Sequence, residues 1–310
     1  MQRIATLALA VFLVALPISG CRAQSAPTQQ VTGSSASAPP RNPVSEPQFP
    51  RFEDFTAVPE TPYVRPYQGV SFSTPSGLVC VLGGDDFNCH GPIPGAPGGA
   101  NAVAVRPDGA PWFLKTADPS PQPTPPLLPP GSRLSVGYVD CVVGPDALTA
   151  CRVRGEPLIG FVVRSDSTTL TPVPRLPAGF PDPRQYVFDS TRVYSKHGGG
   201  KNITEYFAVD GDLRCEITSF SGVRTSCRGP MPGRSDNVVS LNISELAWGR
   251  SDTATDPEYA DPLPHLDQGR VVSSRDPAGW CMALYGGGVA CSDDGGHGFV
   301  ITSTESWSFP

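Results

Sequence analysis

The residues with the clearest chemistry in this 310-residue chain are its nine cysteines. Eight of them form two sets of four, with separations of 9, 52 and 10 residues in the first set and 12, 54 and 10 in the second. The sets are Cys80, Cys89, Cys141 and Cys151, and then Cys215, Cys227, Cys281 and Cys291. An even number of cysteines at a repeated spacing is typical of a disulfide framework in an exported protein.

Two disulfide patterns are compatible with this spacing. If near neighbours pair, Cys80 faces Cys89 across a β-hairpin whose turn is residues 83–86, and the opposed Cα atoms lie within disulfide range. The other pattern crosses the hairpins, as Cys80–Cys151 and Cys89–Cys141. Loop entropy separates the two patterns by only about 1 kcal/mol. We favour hairpin pairing, and the crossed pattern stays open at this point.

Metal binding is the weaker interpretation of the same cysteines. The chain contains no Cys-x-x-Cys motif and only four histidines. Structural zinc sites usually combine close cysteine pairs with further cysteine or histidine ligands. The sequence therefore predicts neither a metal site nor a cofactor.

The ninth cysteine, Cys21, follows an export signal. Arg3 precedes an apolar run at 4–16, which is shorter than the roughly 20 residues of a transmembrane helix. The run ends in Ile18-Ser19-Gly20-Cys21, which resembles the bacterial lipobox. The resemblance implies that residues 1–20 are a lipoprotein signal peptide and that Cys21 is acylated, palmitate included. Multiple acyl chains would anchor the protein stably in a membrane, outside the cytoplasm.

A Pro-rich tether is expected to follow the anchor. Residues 21–66 are rich in Pro, Ser, Ala and Gln, a composition that buries too little apolar surface to order itself. We therefore expect the lipidated N-terminus and tether to be disordered.

Motifs around the cysteines show that the rest of the chain is an internal repeat. The segment 89–95 matches 227–233, because both contain Cys-x-Gly-Pro-x-Pro-Gly, and Gly160-Phe161 matches Gly298-Phe299. The predicted first domain is 67–175, the linker 176–185 and the second domain 186–310.

Both domains are predicted to be all-β, because short β-branched runs alternate with Gly, Pro and Asp. About seven strands per hundred residues fit a small antiparallel sandwich or barrel, between which the sequence does not choose. The segment 244–248 is the one stretch considered for a helical turn.

The first repeat opens with Phe72-Ser73-Thr74-Pro75-Ser76-Gly77 before Cys80, and the second closes with Gly296-His297-Gly298-Phe299. These motifs resemble secreted and lipoprotein modules of actinobacteria, here in two tandem degenerate copies that cover most of residues 67–310. The resemblance implies an envelope location and a disulfide-linked fold. It supplies no catalytic residues, because that family has no assigned activity.

Three residues are candidate binding positions. Trp112 and Trp248 follow Asn101 and Asn237 by the same eleven residues, so they occupy equivalent positions in the repeat. Two interpretations fit this equivalence: a paired glycan-stacking surface, or the same core packing in both copies. His297, between two glycines, is the best candidate base, although a turn role is favoured. The Pro-rich loop from 119 to 130 is the loop most expected to carry specificity, because the two copies differ most there.

The charge distribution narrows the choice of partners. The net charge of −6 argues against nucleic-acid binding. Residues 186–310 contain 10 Lys and Arg against 16 Asp and Glu, which disfavours anionic headgroups and permits a cationic partner. We predict a non-catalytic envelope lipoprotein that binds a wall polymer or an envelope protein. A wall-remodelling hydrolase and an accessory subunit of a secretion or transport complex are the alternatives.

Overall fold

A computed structural model describes most of the chain after residue 48. The described ranges are 49–66, 69–83, 86–105, 111–117, 124–155, 157–171, 177–189, 194–197, 203–219, 223–242, 245–251, 262–273, 279–293 and 296–309. Regular structure in these ranges is almost entirely β-strand, which confirms the all-β prediction. Four 3-10 turns accompany the strands there, at Phe52–Asp54, Thr61–Tyr63, Pro97–Gly99 and Pro183–Gln185.

The first twelve strands form what we call the first module. They are β1 Thr56–Val58, β2 Val64–Arg65, β3 Gly69–Ser73, β4 Val79–Gly83, β5 Asp86–His90, β6 Ala102–Val105, β7 Trp112–Lys115, β8 Ser132–Val136, β9 Val139–Val143, β10 Thr149–Val153, β11 Ile159–Val163 and β12 Thr168–Thr171.

The next twelve strands form the second module. They are β13 Val187–Asp189, β14 Ser195–His197, β15 Ile203–Val209, β16 Leu213–Ser219, β17 Val223–Arg228, β18 Val238–Asn242, β19 Glu245–Gly249, β20 Arg270–Ser273, β21 Gly279–Ala283, β22 Val289–Asp293, β23 Gly298–Ile301 and β24 Ser306–Phe309. The described part of the segment considered for a helical turn, residues 245–248, therefore belongs to strand β19. Its residues pair along β18, and this ladder overrides their weak helical preference.

Three sheets arise from these strands. Sheet I has the order β1-β8-β9-β10-β11-β12, and sheet III has the order β14-β15-β16-β17-β18-β19. Sheet II runs through both modules in the order β2 to β7, then β13, then β20 to β24. Strand β13 joins the two halves of sheet II because it pairs in parallel with β7 on one edge and with β20 on the other.

Each module encloses its own core between two sheets. In the first module, Phe72 and Phe87 of sheet II meet Leu134 and Phe161 of sheet I, and the rings of Phe87 and Phe161 lie 6.0 Å apart. The second core contains side chains such as Phe207 of sheet III together with others from sheet II. Both modules are therefore disulfide-linked β-sandwiches.

All four disulfides lie inside these cores. The bridges are Cys80–Cys89, Cys141–Cys151, Cys215–Cys227 and Cys281–Cys291, with Cα atoms 4.0–4.1 Å apart. Each joins directly opposed residues of a hairpin, and every cysteine is fully buried. The hairpin pattern is thus the one present, and the crossed pattern is excluded.

Short segments before β1 and β13 cover the outer faces of two sheets. Phe52, at 0% exposure, packs on the outer face of sheet I, and Phe180 packs on the outer face of sheet II. Residues 49–66, which the sequence assigned to the tether, thus include strands β1 and β2 and a buried anchor. The reason is local: aromatic residues interrupt the Pro-rich composition there, and they find an apolar sheet face to cover.

The repeated glycines mark close backbone approaches that both modules need. A Cβ atom at Gly160 would lie 2.2 Å from the Cys151 carbonyl oxygen, and one at Gly298 would lie 2.4 Å from that of Cys291. A side chain cannot be placed at either position without moving the neighbouring strand. The Gly-Phe motif is therefore a packing requirement of the fold.

Candidate binding cleft

The two tryptophans proposed as binding residues lie in different sheets and do not share a sheet face. Trp112 in β7 packs on the outer face of sheet II, where its ring meets that of Trp280 edge-to-face at 5.7 Å. Trp248 in β19 packs against the second core, 6.4 Å from the ring of Phe299, and its face carries the Arg234 guanidinium at 4.0 Å. They do not form a paired stacking surface.

A one-residue difference in hairpin length causes this separation. Val103 and Val239 are equivalent, because each faces the second cysteine of its hairpin. Val103 pairs with Phe113, whereas Val239 pairs with Trp248. A shift of one residue moves a strand side chain to the opposite face. Phe113, rather than Trp112, is therefore the structural counterpart of Trp248.

His297 lies in the turn between β22 and β23 and is held by Asp293. Its Nδ1 atom lies 3.0 Å from Asp293 Oδ2, and its backbone N–H donates to Asp293 Oδ1 at 2.8 Å. The nearby Ser292 hydroxyl donates to the His297 backbone carbonyl at 3.0 Å and not to the imidazole. This arrangement orders a turn, and it does not align a nucleophile with a base.

A cleft of about 340 Å³ opens at one end of the second module. Four connections build its walls, and Leu213 contributes an apolar surface. Its other lining residues are Asp210, Gly211, Pro230, Pro232, Gly286, Gly287, Gly288, Thr302 and Ser303. Its volume is in the range of small-ligand sites, and apolar walls with a few polar groups are typical of them.

A chain of polar side chains begins at Asp210, in the wall of this cleft. Asp210 Oδ1 lies 3.2 Å from His265 Nε2, and His265 Nδ1 lies 3.3 Å from Asp267 Oδ1. Gln268 donates to Asp210 Oδ2 at 2.6 Å and accepts from the Gly286 backbone N–H at 3.1 Å. The network links the Asp210 turn to the glycine-rich turn that forms another wall of the cleft.

The first module has the same backbone framework at this position. Leu128 N–H donates to the Ser73 carbonyl, and Leu266 N–H donates to the Ala208 carbonyl in the second module. Both leucines are fully buried, so the two segments have one register. This register aligns the four polar residues of the network with apolar ones, as Asp210 with Pro75, His265 with Leu127, Asp267 with Pro129 and Gln268 with Pro130.

The equivalent end of the first module is packed differently. A Cβ atom at Gly95 would lie 3.5 Å from Ser167 Cα, because the Pro-x-Pro-Gly loop contacts the β11–β12 turn. At the equivalent Gly233 nothing lies within 4 Å. The hairpin turn also differs, since Ala147 and Leu148 stand where the second module has Gly287 and Gly288. These differences coincide with the cleft of the second copy.

Several sequence expectations fall outside the described residues. Cys21 and residues 118–123 of the Pro-rich loop are among them. The described part of the Pro-rich loop is bound to the first module, where Ser73 Oγ donates to the Pro125 carbonyl at 2.9 Å. Within the described residues, no group of three His, Cys, Asp or Glu is arranged to hold a metal ion.

The sequence reasoning missed the cleft, although one signal could have found it. Motif matching between the repeats emphasised identical residues, whereas the cleft also depends on positions at which the copies differ, such as Asp210 and Gly288. Aligning Pro75 with Asp210 and Leu127 with His265 would have shown coordinated changes from apolar to polar residues.

The fold and the cleft define a class: a two-module, disulfide-linked β-sandwich protein with an open cleft in one copy. Comparison of the chain with protein-family models, curated proteins and solved structures gives no match. No helix in the described part of the chain is long and apolar enough to cross a membrane.

Proposed function

We propose that this protein is an exported, lipid-anchored envelope protein that binds a wall polymer or an envelope protein without catalysing a reaction on it. The signal, the lipobox ending in Cys21 and the Pro-rich segment support the anchor and the location. The resemblance to actinobacterial lipoprotein modules supports the same assignment.

The cleft of the second module is the observation that carries the binding assignment. Both modules have the same core design, yet the second copy combines a cleft with a polar network that starts at Asp210, where the first copy has Pro75, Leu127, Pro129 and Pro130. Stability alone does not need this difference, because the first module keeps its framework with apolar residues there. A binding role explains why the two copies differ at this end.

The experiment uses the full chain in a bacterial envelope, with a photo-crosslinking residue placed at Ser303 on the cleft. The matched control carries the same residue at Ser135, an exposed position in β8 of the first module. We expect one dominant wall polymer or envelope protein to be captured from Ser303 and not from Ser135. Equal capture from both sites, or no capture from Ser303, would overturn the binding assignment.

Cys21→Ser tests the anchor separately. We expect this variant to leave the membrane fraction while its four disulfides and its melting temperature stay unchanged. Its retention in the membrane fraction would contradict lipid anchoring. Turnover of the captured polymer by the purified protein would contradict a non-catalytic role.

A further inference from the structure

We propose that copies of this protein associate head to tail, through parallel pairing of strand β19 of one copy with strand β1 of the next. The partner is a second copy of this chain, and the contact repeats the junction that β7 and β13 form within the molecule. This inference goes beyond the proposed function and does not depend on what the cleft binds.

The first argument is that the two modules contain equivalent strands in the same order. Sheet I has the order β1-β8-β9-β10-β11-β12, and the second half of sheet II has the order β13-β20-β21-β22-β23-β24. In each of them the first strand pairs in parallel with the second. The first half of sheet II, β2 to β7, matches sheet III, β14 to β19, in the same way. Strand β1 is therefore the counterpart of β13, and β19 is the counterpart of β7.

The second argument is that these two counterparts have an unpaired edge. Within the described residues, β1 pairs with β8 alone and β19 pairs with β18 alone, whereas β13 and β7 pair with each other. Burial reflects the difference, because Thr56 and Ala57 of β1 are exposed while Val187 of β13 is buried. The molecule thus presents, without a partner in its described part, both strands that would form a second junction of the same kind.

The third argument is the direction of the backbone groups on β1. Thr56 N–H donates to the Gly131 carbonyl, next to β8, at 2.9 Å. Val187 N–H donates in the same way to the Gly269 carbonyl, next to β20, so Thr56 and Val187 are equivalent. Successive peptide groups of a strand point to opposite edges. The N–H and the carbonyl of Ala57 therefore face the open edge of β1, where edge strands pair with other chains.

The backbone of β19 offers the matching groups. The Gly249 carbonyl accepts from the Asn237 N–H at 3.0 Å, on the β18 side of the strand. By the same alternation, the peptide groups of Trp248 and Arg250 face the open edge of β19. This edge therefore carries an acceptor and a donor on either side of Gly249.

The internal junction fixes the register of the proposed contact. The Leu114 carbonyl of β7 accepts from the Asn101 N–H at 3.0 Å, which makes Leu114 the counterpart of Gly249. Leu114 lies opposite Phe188, the counterpart of Ala57. Gly249 of one copy is therefore expected opposite Ala57 of the next, with the two outward groups of β19 in place to bond the Ala57 carbonyl and N–H.

The side chains at this contact leave room for it. Ala57 and Gly249 are smaller than Phe188 and Leu114, which stand at the same positions of the internal junction. Pairing in this register would join sheet III of one copy to sheet I of the next, as sheet II joins the two modules within one chain. The contact is heterologous, so each added copy presents a free strand for another and the assembly extends in one direction.

The test is photo-crosslinking of the purified full-length protein, as an equal mixture of isotopically light and heavy copies over a series of concentrations. The probe replaces Ala247, which is exposed in β19 and whose counterpart is Trp112, so a bulky aromatic group fits there. We expect adducts that join light to heavy copies, map to residues 49–58 and increase with protein concentration. The matched control places the probe at Ser165, an exposed residue between β11 and β12, at the opposite edge of sheet I from β1. It should give no adducts to residues 49–58 of a second copy.

Two variants at Ala57 then test the backbone pairing itself. Ala57→Pro removes the N–H that faces the open edge and keeps the Thr56 N–H that bonds beside β8. It should lower the yield of adducts by about tenfold, the effect of losing one backbone hydrogen bond and its alignment. Ala57→Val keeps the N–H and should retain the adducts. If Ala57→Pro melts below Ala57→Val, Arg250→Pro replaces it and removes the donor on β19, with Arg250→Ala as its control.

The absence of adducts between light and heavy copies would overturn the head-to-tail assignment, as would adducts that map outside residues 49–58. An unchanged yield in a proline variant that melts like its control would overturn the pairing of strand edges. Because the cleft takes no part in this contact, failure here would leave specific crosslinking from Ser303, and with it the proposed function, as it stands.

Discussion

Asn101 and Asn237 fasten equivalent hairpin ends with the same pair of side-chain hydrogen bonds. Asn101 accepts from the Thr116 backbone N–H at 2.9 Å and donates to the Thr116 carbonyl at 3.1 Å. Asn237 does the same with Ser251, at 2.9 and 3.0 Å. In both modules the amide thus extends a strand ladder beyond its last backbone pair.

Replacing these asparagines tests that role. We expect Asn101→Ala to lower the free energy of unfolding by about 1–3 kcal/mol, because it leaves partly buried backbone groups of Thr116 unpaired. Asn237→Ala should cost less, since its partner groups are exposed to water. Urea denaturation measures both, and a larger loss for Asn237→Ala would contradict this account.

Phe52→Ala tests whether the segment before β1 is part of the folded module. The ring is fully buried on sheet I, and the Arg152 guanidinium lies 4.0 Å from its centroid. Removing a buried phenylalanine costs about 3–5 kcal/mol. Phe49→Ala, at a half-buried neighbouring ring, is the matched control and should cost less. Unchanged thermal denaturation of Phe52→Ala would show that the segment does not dock.

Gly160→Ala tests the close approach of β11 to β10. The added methyl group would meet the Cys151 carbonyl oxygen and Arg152 Cα, so we expect a loss of about 3 kcal/mol. Gly249→Ala is the control, because that strand position has open space and no positive φ. Calorimetry should show little change for Gly249→Ala, and similar melting of the two variants would argue against the steric explanation.

The alkaline stability of the second module should depend on Tyr186. Burial raises the pKa of this phenol to about 12, above the value near 10 of an unfolded chain. The folded state therefore holds the phenolic proton more tightly than the unfolded chain does. This difference stabilises the folded state by about 2 kcal/mol below pH 10, and the stabilisation is lost as the pH rises towards 12.

The measurement is urea unfolding from pH 8 to pH 11.5 on the native protein and on Tyr186→Phe. The variant should lose less stability across this range, because no phenol remains there to titrate. Tyr138→Phe, at an exposed site, should follow the native protein. A steep loss in Tyr186→Phe equal to that of the native protein would assign the effect to other groups.

Cysteine spacing predicted the hairpins well because a disulfide between opposed strand residues fixes register over several neighbours. Pairing Cys141 with Cys151, for example, implies a turn at 144–148, which is where the structure has it. Trp112 and Trp248 misled the alignment because one extra residue in a hairpin changes the face of a side chain but hardly changes the spacing of motifs. The Pro-rich composition did not indicate that Phe52 docks on a sheet, because a single buried ring is enough to anchor a segment that is otherwise rich in proline.

The cleft and the sheet shared between the modules could not be predicted for a different reason. Both depend on contacts between segments that are distant in the sequence, such as Asp210 with Gln268 and β13 with β7. Pairing of this kind leaves no periodic signal in either segment. Only the comparison of aligned differences between the two copies carried information about the cleft.

The position of β13 between β7 and β20 has a consequence for the separated halves. A hydrogen-bonded edge of β7 would be uncovered in a fragment that ends before residue 187, and an edge of β13 would be uncovered in a fragment that begins there. Open strand edges are templates for intermolecular pairing and aggregation. In the intact chain β7 and β13 cover each other's edges, so each half protects the other from self-association through an open β7 or β13 edge.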